Sequence, residues 1–128
     1  MVFKPVILYV EDDVNSRDVM QIILQDLMQC ETFYFFEESR NFLARVQSLT
    51  PQPDVIILDI HVAPHDGFEM IAMLRRDPAF EGVPIVALTA SVMNEEIERL
   101  QQIGFDAIFP KPIDVDTFAD DLRQVLPN

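Results

Sequence analysis

Glu11-Asp12-Asp13, Asp59, Thr89 and Lys111 are the residues of this chain whose types could do chemistry together. Each stands at or just after the end of a short apolar run: Val6–Val10, Val55–Ile60 around Asp59, Ile85–Thr89, and Ala107–Phe109 ahead of Lys111. In a parallel sheet the carboxyl ends of all strands lie on one edge, so these residues would converge there. Three or four carboxylates in one cleft repel one another and are costly to keep ionised. A hard divalent cation removes that cost, and an oxygen-only donor set with room for water suits Mg²⁺. Thr89 brings a hydroxyl donor and Lys111 a compact cation, both matched to phosphoryl oxygens. Asp59 could then attack phosphorus as a carboxylate nucleophile and form an acyl phosphate.

Positioning them requires strands and helices in alternation. Asp59 closes a run that is otherwise wholly apolar and is entered through Pro51-Gln52-Pro53, which reads as a central parallel strand covered on both faces. Val6–Val10, Thr32–Phe36, Ile85–Thr89 and Ala107–Phe109 supply four more strands. The first helix is expected to be capped by Asn15 or Ser16 and to carry Val19, Met20, Ile22, Ile23, Leu24 and Leu27 inward. Ser39 is the expected cap of the second helix, with Phe42, Leu43, Val46 and Leu49 inside and Pro51 ending it. A third helix runs through Phe68, Ile71, Ala72 and Leu74 and stops at Asp77-Pro78. The fourth places Ile97, Leu100 and Ile103 inward and is closed by Gly104. The last begins at an Asp114 cap and carries Val115, Phe118, Leu122, Val125 and Leu126. Five β–α alternations imply an α/β fold, a doubly wound parallel sheet with helices on both faces.

At 128 residues and 49% hydrophobic content the chain is long and apolar enough for one folded domain, 1–128, and is not of disordered composition. It shows no repeat, linker or low-complexity stretch, and an output module is not expected. A formal charge of −13 argues against direct nucleic-acid binding, because phosphate backbones demand Lys and Arg. The single Cys30 excludes an internal disulfide and suits a reducing compartment. No signal peptide is visible and no apolar run reaches membrane-spanning length, so a cytoplasmic protein without membrane contact is expected. The methionines Met20, Met28, Met70, Met73 and Met93 read as core and helix packing. His61 and His65 read as exposed loop histidines, since no second ligand pair stands at a suitable spacing.

The ordered set Glu11-Asp12, Asp59, Thr89-Ala90 and Lys111-Pro112, with Asp66-Gly67 after the acceptor strand, resembles that of response-regulator receiver domains over nearly the whole chain. The resemblance implies a flavodoxin-like strand order 2-1-3-4-5. It implies that Asp59 accepts a phosphoryl group from a sensor histidine kinase or a histidine phosphotransfer protein, with Mg²⁺ (or Mn²⁺) as cofactor. Asp12 and Asp59 would then bind the metal directly, Glu11 mainly through water, and the backbone carbonyl of His61 would be the third protein ligand. Asp13 is a weaker candidate. Thr89 would bind a phosphoryl oxygen and shift, Lys111 would pair with the acceptor, and the Lys111–Pro112 bond would be cis. Such a domain is not an enzyme in the ordinary sense and catalyses only its own phosphorylation and dephosphorylation. Its signal would leave through the face of the fourth helix, fifth strand and fifth helix to a protein effector, and a second copy of the chain is a further candidate partner.

Three places depart from the family pattern. Ile108 stands three residues before Lys111, where an aromatic relay is usual, and Phe109 should point to the opposite face by strand alternation. The acceptor loop reads His61-Val62-Ala63-Pro64, with proline one place later than usual. The second strand and helix, Phe33 to Val46, lack the small residues often found there. By the same resemblance His61, two past the acceptor, and Ser91, two past Thr89, would border the approach of hydrolytic water, and His61 would tune the lifetime of the phosphorylated state. An alternative reading is a degenerate receiver, a constitutive interaction module, and Ile108 is its main support. A haloacid-dehalogenase-type phosphatase would need an aspartate two places after the nucleophile, where this chain has His61. A flavin binder would need a phosphate cradle where Glu11-Asp12-Asp13 would repel one.

Overall fold

The computed structural model describes residues 4–91 and 93–126. Five strands, β1 (Ile7–Val10), β2 (Phe33–Phe36), β3 (Val55–Asp59), β4 (Ile85–Thr89) and β5 (Ala107–Pro110), form one sheet of order β2-β1-β3-β4-β5. Every neighbouring pair is parallel, with Val10 beside Leu58, Asp59 beside Leu88 and Thr89 beside Pro110. The crossovers between successive strands are made by α1 (Val14–Ile22), α2 (Phe42–Gln47), α3 (Gly67–Arg75) and α4 (Asn94–Ile103), and α5 (Phe118–Val125) follows β5.

The sheet is covered on both faces, which is why β1, β3 and β4 are apolar without alternation. One face packs Leu8, Val10, Ile56, Leu58, Ile85 and Ala87 against residues of α2, α3 and α4, chiefly Phe42, Val46, Met70, Leu74 and Leu100. The other packs Ile7, Tyr9, Val55, Ile57, Val86 and Leu88 against Met20 of α1 and Phe118 and Leu122 of α5. Asp59 and Thr89 are the only polar residues within the fully buried β3 and β4 runs, and both stand last in their strands.

Helix starts differ from the sequence expectation. α1 is capped by Asp13, whose Oδ2 accepts from the backbone N–H of Ser16 at 3.0 Å and from its hydroxyl at 2.8 Å, so neither Asn15 nor Ser16 is the cap. Asp13 has the extended backbone a cap needs, while Asn15 and Ser16 are already helical. Ser39 does not cap α2. Its hydroxyl is buried and joined to the backbone of His65, donating to the carbonyl and accepting from the N–H, each at 2.6 Å. Asn41, in the left-handed region at φ 52°, precedes α2 instead. α2 ends at Gln47, ahead of Pro51, because the Gln52 side chain takes up the free carbonyls of Val46, Gln47 and Leu49. Asp114 starts a turn rather than α5 itself, accepting from the N–H of Asp116 at 2.9 Å, and Val115 is exposed.

The apolar run of the first helix does not all face inward. α1 passes into a π-helical turn over Ile23–Leu27, with the Met28 N–H reaching the Ile23 carbonyl at 2.9 Å. The wider turn buries Ile23 and Leu24 and leaves Ile22 and Leu27 in solvent. On α4, Leu100 is buried, Ile97 half-buried and Ile103 exposed, and Gly104 closes the helix at φ 110° as expected. Met93 is exposed and so falls outside the packing role assigned to the methionines. α3 ends at Arg75, and Asp77-Pro78 begins a single 3₁₀ turn capped by the Asp77 carboxylate.

Candidate functional site

The carboxyl edge of the sheet brings Glu11, Asp12, Asp59, Thr89 and Lys111 to one place. Glu11 follows β1 and is fully buried, Asp59 ends β3 and is 4% exposed, and Thr89 ends β4 with no exposure. Lys111 follows β5 and reaches back across the sheet edge to Glu11 and Asp59, and its bond to Pro112 is cis. Its Nζ donates to Glu11 Oε1 at 2.7 Å and to Asp59 Oδ2 at 3.4 Å. Glu11 Oε1 also accepts from the Tyr9 hydroxyl at 2.8 Å. The Glu11 carbonyl accepts from Arg17 Nη1 at 2.9 Å, which ties α1 to the same edge. Asp59 Oδ1 accepts from the backbone N–H of His61 at 3.2 Å.

The charges do not balance. Glu11 and Asp59 share one ammonium, and Asp12 lies beside them on the exposed side. Burial pushes the Glu11 carboxyl above its ordinary value, and the neighbouring Asp59 adds to this against the pull of Lys111 and Tyr9. Burial and the Glu11 charge push the Tyr9 phenol up as well. Burial alone would lower the Lys111 amine, but its hydrogen bond to Glu11 and the charges of Asp59 and Glu11 outweigh that and hold it raised. Glu11, Asp12 and Asp59 each present a carboxylate oxygen within 4.8 Å of the others. Oxygen donors of excess negative charge around one point are what a hard divalent cation requires, so these residues fit Mg²⁺ or Mn²⁺.

The remaining candidates take distinct places. The Thr89 hydroxyl donates to Glu96 Oε1 at 3.4 Å and accepts from the Ser91 N–H at 3.1 Å. The backbone of His61 meets the Asp59 carboxylate, while its ring is 65% exposed with Nε2 3.9 Å from Glu96 Oε1. His65 Nδ1 lies 3.4 Å from Glu69 Oε2, and the residue is half-buried, not exposed as the sequence suggests, because Glu69 and the Ser39 hydroxyl hold it. Asp13 is committed to capping α1. Asp66 caps α3 in a reciprocal box with Glu69. Gly67 is required by close approach, since a Cβ there would come within 2.5 Å of Ile60 Cδ1 and 2.9 Å of Ile60 Cα. Ile108 packs on the α3–α4 side of the sheet, and Phe109 lies on the opposite face, edge-on to Phe118 at 5.5 Å.

Sequence reasoning missed Tyr9, Arg17 and Glu96. Tyr9 was within reach, because strand periodicity puts it on the same side as Glu11 two residues on. Glu96 carried no signal, since its approach to Thr89 depends on how α4 enters the edge.

A profile of the response regulator receiver domain family matches residues 7–123. The chain belongs to that family. The polar-differentiation response regulator DivK of Brucella anthropi is 25% identical over 123 residues, 96% of each chain, and DivK of Brucella ovis matches to the same extent. The chemotaxis response regulator CheY4 of Vibrio cholerae superposes with a TM-score of 0.85 at 26% identity, covering 97% of this receiver and all of that chain. The signal receiver domain of a DNA binding response regulator from Colwellia psychrerythraea shares the fold with a TM-score of 0.83 at 21% identity, over 94% of this receiver and 97% of that chain.

Proposed function

We propose that this receiver accepts a phosphoryl group on Asp59 from the phosphohistidine of a sensor histidine kinase or a histidine phosphotransfer protein. The observation that carries the reading is the cluster itself: Asp59 ends a buried strand with Lys111 on one oxygen and Glu11 and Asp12 beside it. Without Lys111 and a bound cation, Asp59 would be a buried carboxylate with no compensating charge, a costly arrangement.

In the transfer, an Asp59 oxygen attacks phosphorus as the bond from phosphorus to the donor imidazole nitrogen breaks, and the nitrogen leaves with the electron pair. Lys111 and the Thr89 hydroxyl donate to phosphoryl oxygens, which spreads charge that would otherwise build against the carboxylates. Glu11, Asp12 and Asp59, with the His61 carbonyl, would hold Mg²⁺ or Mn²⁺. When bound, the ion supplies neutralisation of phosphoryl charge. Hydrolysis reverses the change: water attacks phosphorus and the bond to Asp59 breaks with the pair returning to the carboxylate. These are the only reactions assigned to the chain, which acts as a signalling receiver and not as an enzyme on other substrates.

The protein is read as cytoplasmic; among the described residues no helix is long and apolar enough to cross a membrane. Its effector is read as a protein that meets the face of α4, β5 and α5. Incubation with acetyl phosphate and Mg²⁺ should add the mass of one phosphoryl group, and Asp59→Asn should abolish the gain. The second reading, a constitutive interaction module, is favoured by Ile108 and by Phe109 being held against Phe118 on the far face. It predicts no mass gain under conditions that label other receivers.

A further inference from the structure

We propose that Glu96 is a positioning residue that holds the switch in its unphosphorylated state, by occupying the hydroxyl that a phosphoryl group on Asp59 needs. The inference rests on Asp59 being the phospho-acceptor. Glu96 lies in the first turn of α4, and its half-buried carboxylate overhangs the mouth of the site. Its Oε1 accepts from the Thr89 hydroxyl at 3.4 Å and lies 3.9 Å from His61 Nε2, so it bridges the ends of β4 and β3. A cavity of about 430 Å³ opens beside it, between Ile60, Phe68 and Arg99.

Thr89 has one hydroxyl proton to give. Its oxygen already accepts from the Ser91 N–H, so the proton goes either to Glu96 or to a phosphoryl oxygen. The phosphoryl group brings roughly two negative charges to within reach of the same hydroxyl, and Glu96 must withdraw. The first turn of α4 is therefore tied to the acceptor site only while Asp59 is unmodified. Further along the helix, the Arg99 guanidinium stacks over the Phe68 ring at 3.9 Å and holds α4 to α3, which confines the release to the first turn. This coupling runs through Thr89 and α4 directly. It does not need an aromatic at position 108, where this chain has a half-buried isoleucine packed against the core.

The test uses the full chain with acetyl phosphate and Mg²⁺, following the phosphorylation rate by intact mass for wild type, Glu96→Gln, Thr89→Ala and the double variant. Glutamine keeps an acceptor for Thr89 but removes the charge. Glu96→Gln should be phosphorylated roughly three- to tenfold faster, the scale of one charge repulsion at several ångströms under partial screening. In the Thr89→Ala background the same change should alter the rate by less than about twofold, because the untethered Glu96 side chain swings to solvent. Amide NMR spectra supply a readout that a merely structural role would not move. Beryllofluoride with Mg²⁺ should shift the Ser91 and Ile97 signals in wild type, and unmodified Glu96→Ala, which has no acceptor for the Thr89 hydroxyl, should show them already part-way along the same path. A wild type that is labelled on Asp59 while Glu96→Gln is unchanged, or is accelerated equally without Thr89, overturns the latch and leaves phospho-acceptance standing. No labelling of any variant overturns phospho-acceptance, and the latch with it.

Discussion

Lys111 is shared unequally between two carboxylates, closer to Glu11 at 2.7 Å than to Asp59 at 3.4 Å. Truncating it leaves both acids buried without a cation. Lys111→Ala should cost about 2 kcal/mol, below the usual figure for breaking a fully buried pair because Lys111 itself touches solvent. Added Mg²⁺ should recover part of that loss in urea titrations. Glu11 makes a prediction of opposite kind. Burial raises its folded pKa above the ordinary 4.5, so from that pH upward to the raised value the folded chain holds a proton the unfolded chain has lost. The stability contributed by this group is therefore present below that window and declines as pH rises through it. Asp13, Glu31, Glu69 and Asp77 are held below their ordinary values and act the other way, losing their contribution as pH falls through the acid range. With metal chelated, Glu11→Gln should flatten the decline above the ordinary glutamate range. An unchanged slope would assign the titration elsewhere. His61→Ala should change the autodephosphorylation rate of the modified chain, since the ring stands at the mouth opposite Glu96.

At the scale of elements, the loop after β3 is set by Gly67 and Asp66 together. Gly67→Ala would drive a methyl group into Ile60, the residue next to Asp59, and should destabilise the fold by about 1–3 kcal/mol. It should also slow phosphorylation, because the clash displaces the backbone that donates to Asp59. Asp66→Ala removes half of the capping box and should cost about 1 kcal/mol without changing the acceptor chemistry. A thermal unfolding series with labelling rates on the same two variants separates the effects. The central strands β1, β3 and β4 were legible in sequence because both of their faces are buried, and burial writes continuous apolar runs, while the half-buried edge strands β2 and β5 were marked by aromatic and β-branched residues. The helix starts were not. Asn15, Ser16 and Ser39 have the right chemistry for caps, but capping is decided by which residue keeps an extended backbone. Ser39 was diverted to the buried His65 backbone, a partner on a distant loop.

For the whole molecule, the formal charge of −13 is distributed over a fold that also concentrates acids at one sheet edge. Raising ionic strength should stabilise the protein modestly by screening this excess. Mg²⁺ should stabilise it further than a matched ionic strength of NaCl, since binding to the folded state alone adds about 2.7 kcal/mol at a hundredfold excess over the dissociation constant. Asp12→Asn should remove that specific increment and leave the salt effect. Equal stabilisation by both salts in wild type would argue against a metal at this edge.

The strand-end acids, Thr89 and Lys111 could be placed on one edge from the chain alone. Parallel strands share a direction, and hydrophobic runs mark where each strand stops. From the same pattern came the doubly wound sheet and the opposite facings of Ile108 and Phe109, since side-chain alternation in a strand is local. Only the tertiary structure decided that Lys111 leans on Glu11, that Tyr9 joins them, that a π-helical turn rotates Ile22 and Leu27 into solvent, and that Glu96 reaches Thr89. Those outcomes depend on the entry angles of helices and the paths of loops. Both are set by packing between segments distant in the chain, and no local spacing of residue types encodes them.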